Sequence, residues 1–195
     1  MSSEKRPGDV KNDFVRWLLT AISNQVSKSN KSILRPKKNQ KEYALNEFGN
    51  ICPYTGNRLG PDEKIELDHI IPSNVEYCGL HLCGNLVATS RDTNNDKKSQ
   101  NYQDYIKSHS RNTQDSTCRI NNIQAYMKKN GYDEALFKSL RIKEFVKKEH
   151  DKLTSCLNEI ERDLKEKLNT IDEQLKQLQP NSKSQVPPPK SKKQI

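Results

Sequence analysis

An α+β fold is predicted for this 195-residue chain, with its strands confined to one short stretch and helices on either side. Three observations predict it. Residues 66–99 run from an extended stretch, Glu-Leu-Asp-His-Ile-Ile-Pro, through an irregular loop to a strand-like run, Gly-Asn-Leu-Val-Ala-Thr, and then to polar residues at helical spacing. Residues 11–27 place apolar side chains at three- and four-residue steps. From Glu134 a helical pattern continues for more than forty residues.

The N-terminal segment, 1–40, opens with Val10, Phe14, Trp17, Leu18, Ile22 and Val26 on one stripe, which predicts an amphipathic helix. Such a helix packs on a core or receives a partner, and packing is the simpler expectation. From Lys28 to Lys41 the chain carries six basic residues and no acid, with Pro36 and scattered Ser and Asn against regular structure. That composition suits a basic arm tracking a DNA backbone through Lys37 and Lys38, or a solvated linker. Glu42 to Phe48 is expected as a short helix leading into the first strand. Cys52-Pro-Tyr-Thr-Gly56 then turns the chain, with Tyr54 packed beneath the hairpin.

Chemistry concentrates in the next stretch. Asp68 and Asn94 offer hard oxygens, the ligands magnesium prefers, and two protein oxygens leave positions for water and phosphate. An amide at 94, where an imidazole would favour softer metals, points to Mg²⁺ or Mn²⁺. His69 is a general-base candidate, since an unperturbed imidazole has a pKa of about 6.5. Neighbours on a strand face opposite ways, so Asp68 and His69 share one phosphate only where the strand ends, and Pro72 marks that end. Asn94 and Lys97 stand three apart, on one helical face, with Asp92 or Thr93 able to cap that helix. Asn85 is expected to pin the loop between the strands and so orient His69.

Cys-Pro-Tyr-Thr-Gly at 52–56, Asp-His-Ile-Ile-Pro at 68–72, Asn85 and Asn94-x-x-Lys97 resemble the HNH nuclease family. The nearest version is the HNH domain within CRISPR effector nucleases and some bacterial restriction enzymes. The matched stretch runs from about Tyr43 to His109, about a third of the chain. The resemblance implies a ββα-metal (His-Me finger) core over 41–110, with two strands, a loop and a helix around one divalent ion. It implies His69 as general base, Asp68 and Asn94 as metal ligands, Asn85 as the orienting middle residue and Lys97 near the phosphate. The family's last position varies between His and Asn, so Asn94 is a permitted version.

After Asn94 the helix is expected to run to about His109, with Lys97, Lys98, Lys107 and Arg111 along a basic face suited to phosphate contact, Lys97 and Lys98 foremost, or to plain solvent exposure. Residues 110–119, rich in Ser, Asn, Thr and Gln, read as a loop, and a helix from about Arg119 to Asn130 stops at Gly131. The region 111–179 ends in the long helix. Leu153, Leu157, Ile160, Leu164, Leu168, Ile171, Leu175 and Leu178 follow steps of 4, 3, 4, 4, 3, 4 and 3, a coiled-coil seam with one stutter. This seam predicts a homodimer, with a helix folded back on its own core as the alternative. Pro180 closes it, and 180–195 reads as a disordered basic tail.

Hydrophobic residues make up only 31% of the chain and mean hydropathy is −1.03, so the compact core is small for the length. With 34 basic against 25 acidic residues the net charge is +9, which attracts polyanions, nucleic acid foremost. No apolar leader opens the chain and nothing approaches a membrane span. Five irregularly spaced cysteines suit reduced thiols in a cytoplasm. Thr55 breaks the first Cys-x-x-Cys knuckle on which many HNH proteins carry zinc. Cys52, Cys78, His81 and Cys83 form at best a partial set, so structural Zn²⁺ is not expected.

The expectation is a metal-dependent HNH endonuclease cutting DNA, of a bacterial or phage restriction, defence or homing type. A dimer suits double-strand breaks and a monomer suits nicking. The alternative is a non-catalytic DNA-binding or assembly protein built on the same scaffold, with RNA as substrate a further one.

Overall fold

The computed structural model describes residues 6–29, 34–134, 137 and 140–178. The expected basic tail, 180–195, and residues 30–33 of the expected arm lie outside them. The chain divides into two units, 1–153 and 154–195.

Helix α1 spans Pro7–Ser29. The Asp9 carboxylate accepts from the Arg6 backbone N–H at its start, satisfying a donor with no helical partner, and Lys28 lies in the last turn. Its inner face buries Val15 and Leu19 in the core. Leu34 is buried and its carbonyl accepts from the Cys83 N–H.

Helix α2, Gln40–Glu47, begins at Gln40, which is buried. The Gln40 amide nitrogen lies within 3.4 Å of the carbonyls of Cys83 and Leu86 and of the Tyr126 hydroxyl, which share its two hydrogens, and its oxygen accepts from Lys37 N. One side chain thus ties three segments together. An isolated bridge pairs Ile51 with Arg58 around the Cys52–Gly56 turn. Tyr54 is buried there, edge-on to Tyr105.

Strands β1, Ile65–His69, and β2, Leu86–Ser90, form a two-stranded antiparallel sheet in which Asp68 faces Val87 and His69 faces Leu86. The architecture is therefore α+β. A single 3-10 turn, Cys83–Asn85, feeds β2. Helix α3, Arg91–Lys97, follows directly, and its N-cap is Ser90, whose hydroxyl accepts from Thr93 N. The cap expected at Asp92 or Thr93 thus falls earlier, because Ser90 is still extended when the strand ends.

The expected continuous helix to His109 is broken at Lys98, which adopts φ +50°. Helix α4, Tyr102–Ser108, restarts after Asn101, whose side chain accepts from Gln103 N. Helix α5 spans Thr113–Lys129, six residues earlier than expected, because Asn112 caps it on Asp115 N. Gly131, at φ +69°, ends that course as expected. The expected helix from Glu134 is interrupted at Arg141, φ +53°, and helix α6 runs Ile142–Leu178. Ile142 and Val146, in its first turns, join the same core as α1, α4 and α5. In the second unit, Ile160, Leu164, Leu168, Ile171 and Leu175 stay between 48% and 60% exposed. No helix among the described residues is long and apolar enough to cross a membrane.

Candidate active site

Where β1 ends, an open cleft of about 1000 Å³ is lined by Asp68 and His69, by Asn94 and Lys98 of the α3 end, by His81 of the loop, and by Arg16 of α1. Two rungs hold its β1–α3 wall. Residues 66 and 68 share one face of the strand, as period-two alternation requires. They meet Asn94 and Lys97, one helical turn apart on α3: the Asn94 amide nitrogen donates to Glu66 Oε2 at 3.0 Å, and Lys97 Nζ lies 2.8 Å from Asp68 Oδ2.

The first rung decides which end of an amide faces the cleft. A carboxylate only accepts, so the Asn94 nitrogen must point at Glu66 and its oxygen is left for another partner. Glu66 is itself held at 2.8 Å by Arg91, and these two donors lower its pKa. In the second rung Lys97 is fully buried. Its ammonium also donates to the His69 carbonyl at 3.1 Å and stands 5.0 Å over the Tyr54 ring. The Tyr54 hydroxyl donates to the same Asp68 Oδ2 at 2.8 Å. Burial, then the adjacent Asp68 charge, pushes the Tyr54 pKa well above its usual value, so it remains a proton donor.

Asp68 thus uses Oδ2 for protein contacts and leaves Oδ1 without a hydrogen bond among the described residues. Asp68 and Asn94 both line the open cleft, and their Oδ1 atoms are the hard oxygens left over by these contacts. Such a pair fits a small divalent cation completed by water and substrate oxygens. Among the described residues no three His, Cys, Asp or Glu side chains gather as a metal group. An ion here would be held by Asp68 Oδ1, the Asn94 amide oxygen and water.

His69 is partly buried at the strand end. Its Nε2 lies 3.2 Å from Nδ1 of His81. Desolvation, then the His81, Lys97 and Arg16 charges, pushes its pKa down to about 4. Burial also lowers His81. A neutral imidazole with Nε2 engaged keeps Nδ1 as its proton-accepting atom, provided the shared hydrogen sits on His69. The backbone N–H of His81 donates to Ser23 Oγ of α1 at 2.8 Å, and Ser23 donates to the Leu19 carbonyl, so α1 fixes the backbone that carries the second imidazole.

Asn85 is fully buried. Its oxygen accepts from Ile71 N at 2.7 Å, and its nitrogen donates to the carbonyls of Ile71 and Leu80. It closes the loop that carries His81 back onto the exit of β1. Gly79 completes that closure, since a Cβ there would overlap the Ile71 carbonyl.

No protein-family model, curated protein or solved structure matches the chain. The site is therefore read from its own residues.

Asp68, His69 and Asn94 share the cleft, Asn85 braces it from beneath, and Lys98 stands on its rim. Lys97 is inside the wall rather than at the surface. Lys37 and Lys38 are exposed and do not line the cleft; the Lys37 ammonium stands 4.6 Å over the Tyr43 ring. Cys52 Sγ contacts Thr89 Oγ1, Cys83 Sγ faces Asn130 and Cys78 Sγ faces the Val75 carbonyl. Sequence reasoning missed Glu66, Ser23 and Arg16 and weighed His81 only as a zinc ligand. Glu66 had a signal, the two-residue step from Asp68 along a strand. The others depend on how α1 docks.

Proposed function

We propose that the chain is a metal-dependent endonuclease of the HNH type that hydrolyses DNA phosphodiester bonds. The observation that carries the reading is the convergence of a neutral imidazole, a carboxylate oxygen and an amide oxygen on one open cleft. In this scheme His69 takes the proton of the attacking water, and His81 holds its ring. Asp68 and Asn94 hold one Mg²⁺ or Mn²⁺, oriented by Lys97 and Tyr54 on one side and Glu66 on the other. The bound ion would supply charge stabilisation at the scissile phosphate and the leaving oxygen. Lys97 fixes the His69 backbone and neutralises one edge of Asp68, so the carboxylate presents its other oxygen.

The net charge of +9 supports a polyanionic substrate. The exposed Ile160–Leu175 seam supports a homodimer through the C-terminal helix, since a stripe of that length left in water is unfavourable. Supercoiled plasmid incubated with the protein and Mg²⁺ is expected to be nicked or linearised, with no cutting in EDTA or with His69→Ala. Plasmid that is retarded but intact under all conditions would favour a binding protein built on the same scaffold, and preferential RNA cutting would reassign the substrate.

A further inference from the structure

Helix α1 lies outside the stretch on which the nuclease reading rests, yet it forms the second wall of the cleft. Asn12, Arg16 and Thr20 line it at successive turns of one face. Val15 and Leu19, both buried, anchor the backbone on either side of Arg16, and Ser23 fastens the next turn to His81. The Arg16 guanidinium is exposed to the cleft and has no carboxylate partner among the described residues, whereas Arg91 and Arg119 each have one. No carboxylate of α1 lines this wall. It offers one cation, an amide and a hydroxyl as donors for an anion, while the carboxylates that line the cleft, Asp68 and Glu76, lie off α1.

We propose that Arg16 grips a non-scissile phosphate of the nucleic-acid backbone across the cleft from Asp68 and Asn94. The substrate strand then runs between α1 and α3. This rests on the nuclease reading and deepens it by naming where the strand lies. A guanidinium binds two phosphate oxygens at once in a planar fork, and its rigid presentation from a packed helix fixes the register of the strand. From Asn12 to Thr20 the stripe covers about 12 Å at 1.5 Å per residue. Backbone phosphates recur about every 3.4 Å of axis on one strand, so the stripe spans several of them. Arg16 and His69 line the same cleft.

Binding and cutting separate this proposal from the reading beneath it. The full-length protein in EDTA is titrated with a short labelled duplex DNA over a range of salt, as wild type, Arg16→Gln, Arg16→Lys and Arg58→Ala. Arg58 is exposed, outside the cleft, and removes the same charge. Loss of one phosphate contact is expected to reduce the slope of log affinity against log salt by about 0.9 for Arg16→Gln. Arg16→Lys should restore the slope but not the full affinity, and Arg58→Ala should match wild type. With Mg²⁺ present, Arg16→Gln is expected to raise KM on the order of tenfold with kcat little changed.

Equal slopes for Arg16→Gln and wild type overturn the proposal, and so does an equal loss in Arg58→Ala. A fall in kcat at constant KM also overturns it, since Arg16 would then act on the scissile phosphate. Binding that depends on Arg16 without metal-dependent cutting would leave the phosphate contact standing and remove the nuclease.

Discussion

At the scale of single residues, the site is built from pairs in which one partner sets what the other can do. Glu66 fixes the Asn94 amide, so Glu66→Gln, which can present nitrogen instead of oxygen, frees that amide to turn. A tenfold or greater rise in the Mg²⁺ concentration for half-maximal nicking is expected, because partners of metal ligands commonly carry about 10- to 100-fold in affinity or activity. Lys97 is the opposite case, a buried charge with a buried partner. Lys97→Met leaves Asp68 without its cation and is expected to cost about 3 kcal/mol or more in urea unfolding.

His69 contributes a pH dependence of known sign. Its folded pKa of about 4 lies below the ordinary 6.5, so the unfolded chain binds the proton first as pH falls. Its share of stability is complete above about pH 6.5 and is lost progressively down to about pH 4 in the metal-free protein, and His81 acts in the same direction. The His69 ring resonance in a metal-free NMR titration should have its midpoint below pH 5; a midpoint at 6.5 would contradict the burial. The chemical identities of Asp68, His69 and Asn94 were legible in the sequence because they depend on atoms alone. The inward turn of Lys97 was not, since a lysine at i+3 from Asn94 is equally compatible with water or with a buried carboxylate.

Among the elements, the loop between β1 and β2 shows how little regular structure is needed to fix a segment at the cleft. Asn85 satisfies one buried N–H and two carbonyls there. Asn85→Ala strands all three and is expected to destabilise the fold by about 3 kcal/mol, read as a lowered melting temperature. Asn85→Asp keeps only the acceptor and should recover part of the loss. Element boundaries were legible where glycine or apolar periodicity marks them, as at Gly131 and along α1. They were hidden where the chain breaks at a non-glycine residue. Lys98 and Arg141 both take positive φ, a conformation that no residue type at those positions announces. The early start of α5 was signalled by Asn112 ahead of Asp115, but a run of Ser, Asn, Thr and Gln suits loops as well as caps.

For the whole molecule, the low apolar content has a direct structural counterpart. One core serves α1, the turn around Tyr54, the sheet and the helices through Val146, and the second unit leaves its apolar seam in water. The seam was legible from its three- and four-residue steps, whereas its exposure is a matter of tertiary structure. If two copies pair along it, Leu164→Glu with Ile171→Glu should convert a dimer to a monomer in sedimentation without shifting the melting of the first unit. A wild-type monomer at high micromolar concentration would rule the pairing out. The fastening of His81 to Ser23 has a practical corollary. Trimming the protein to residues 41–110 discards the hydroxyl that accepts from the His81 backbone, together with the α1 wall of the cleft. A shortened version that keeps the cleft whole therefore has to include α1.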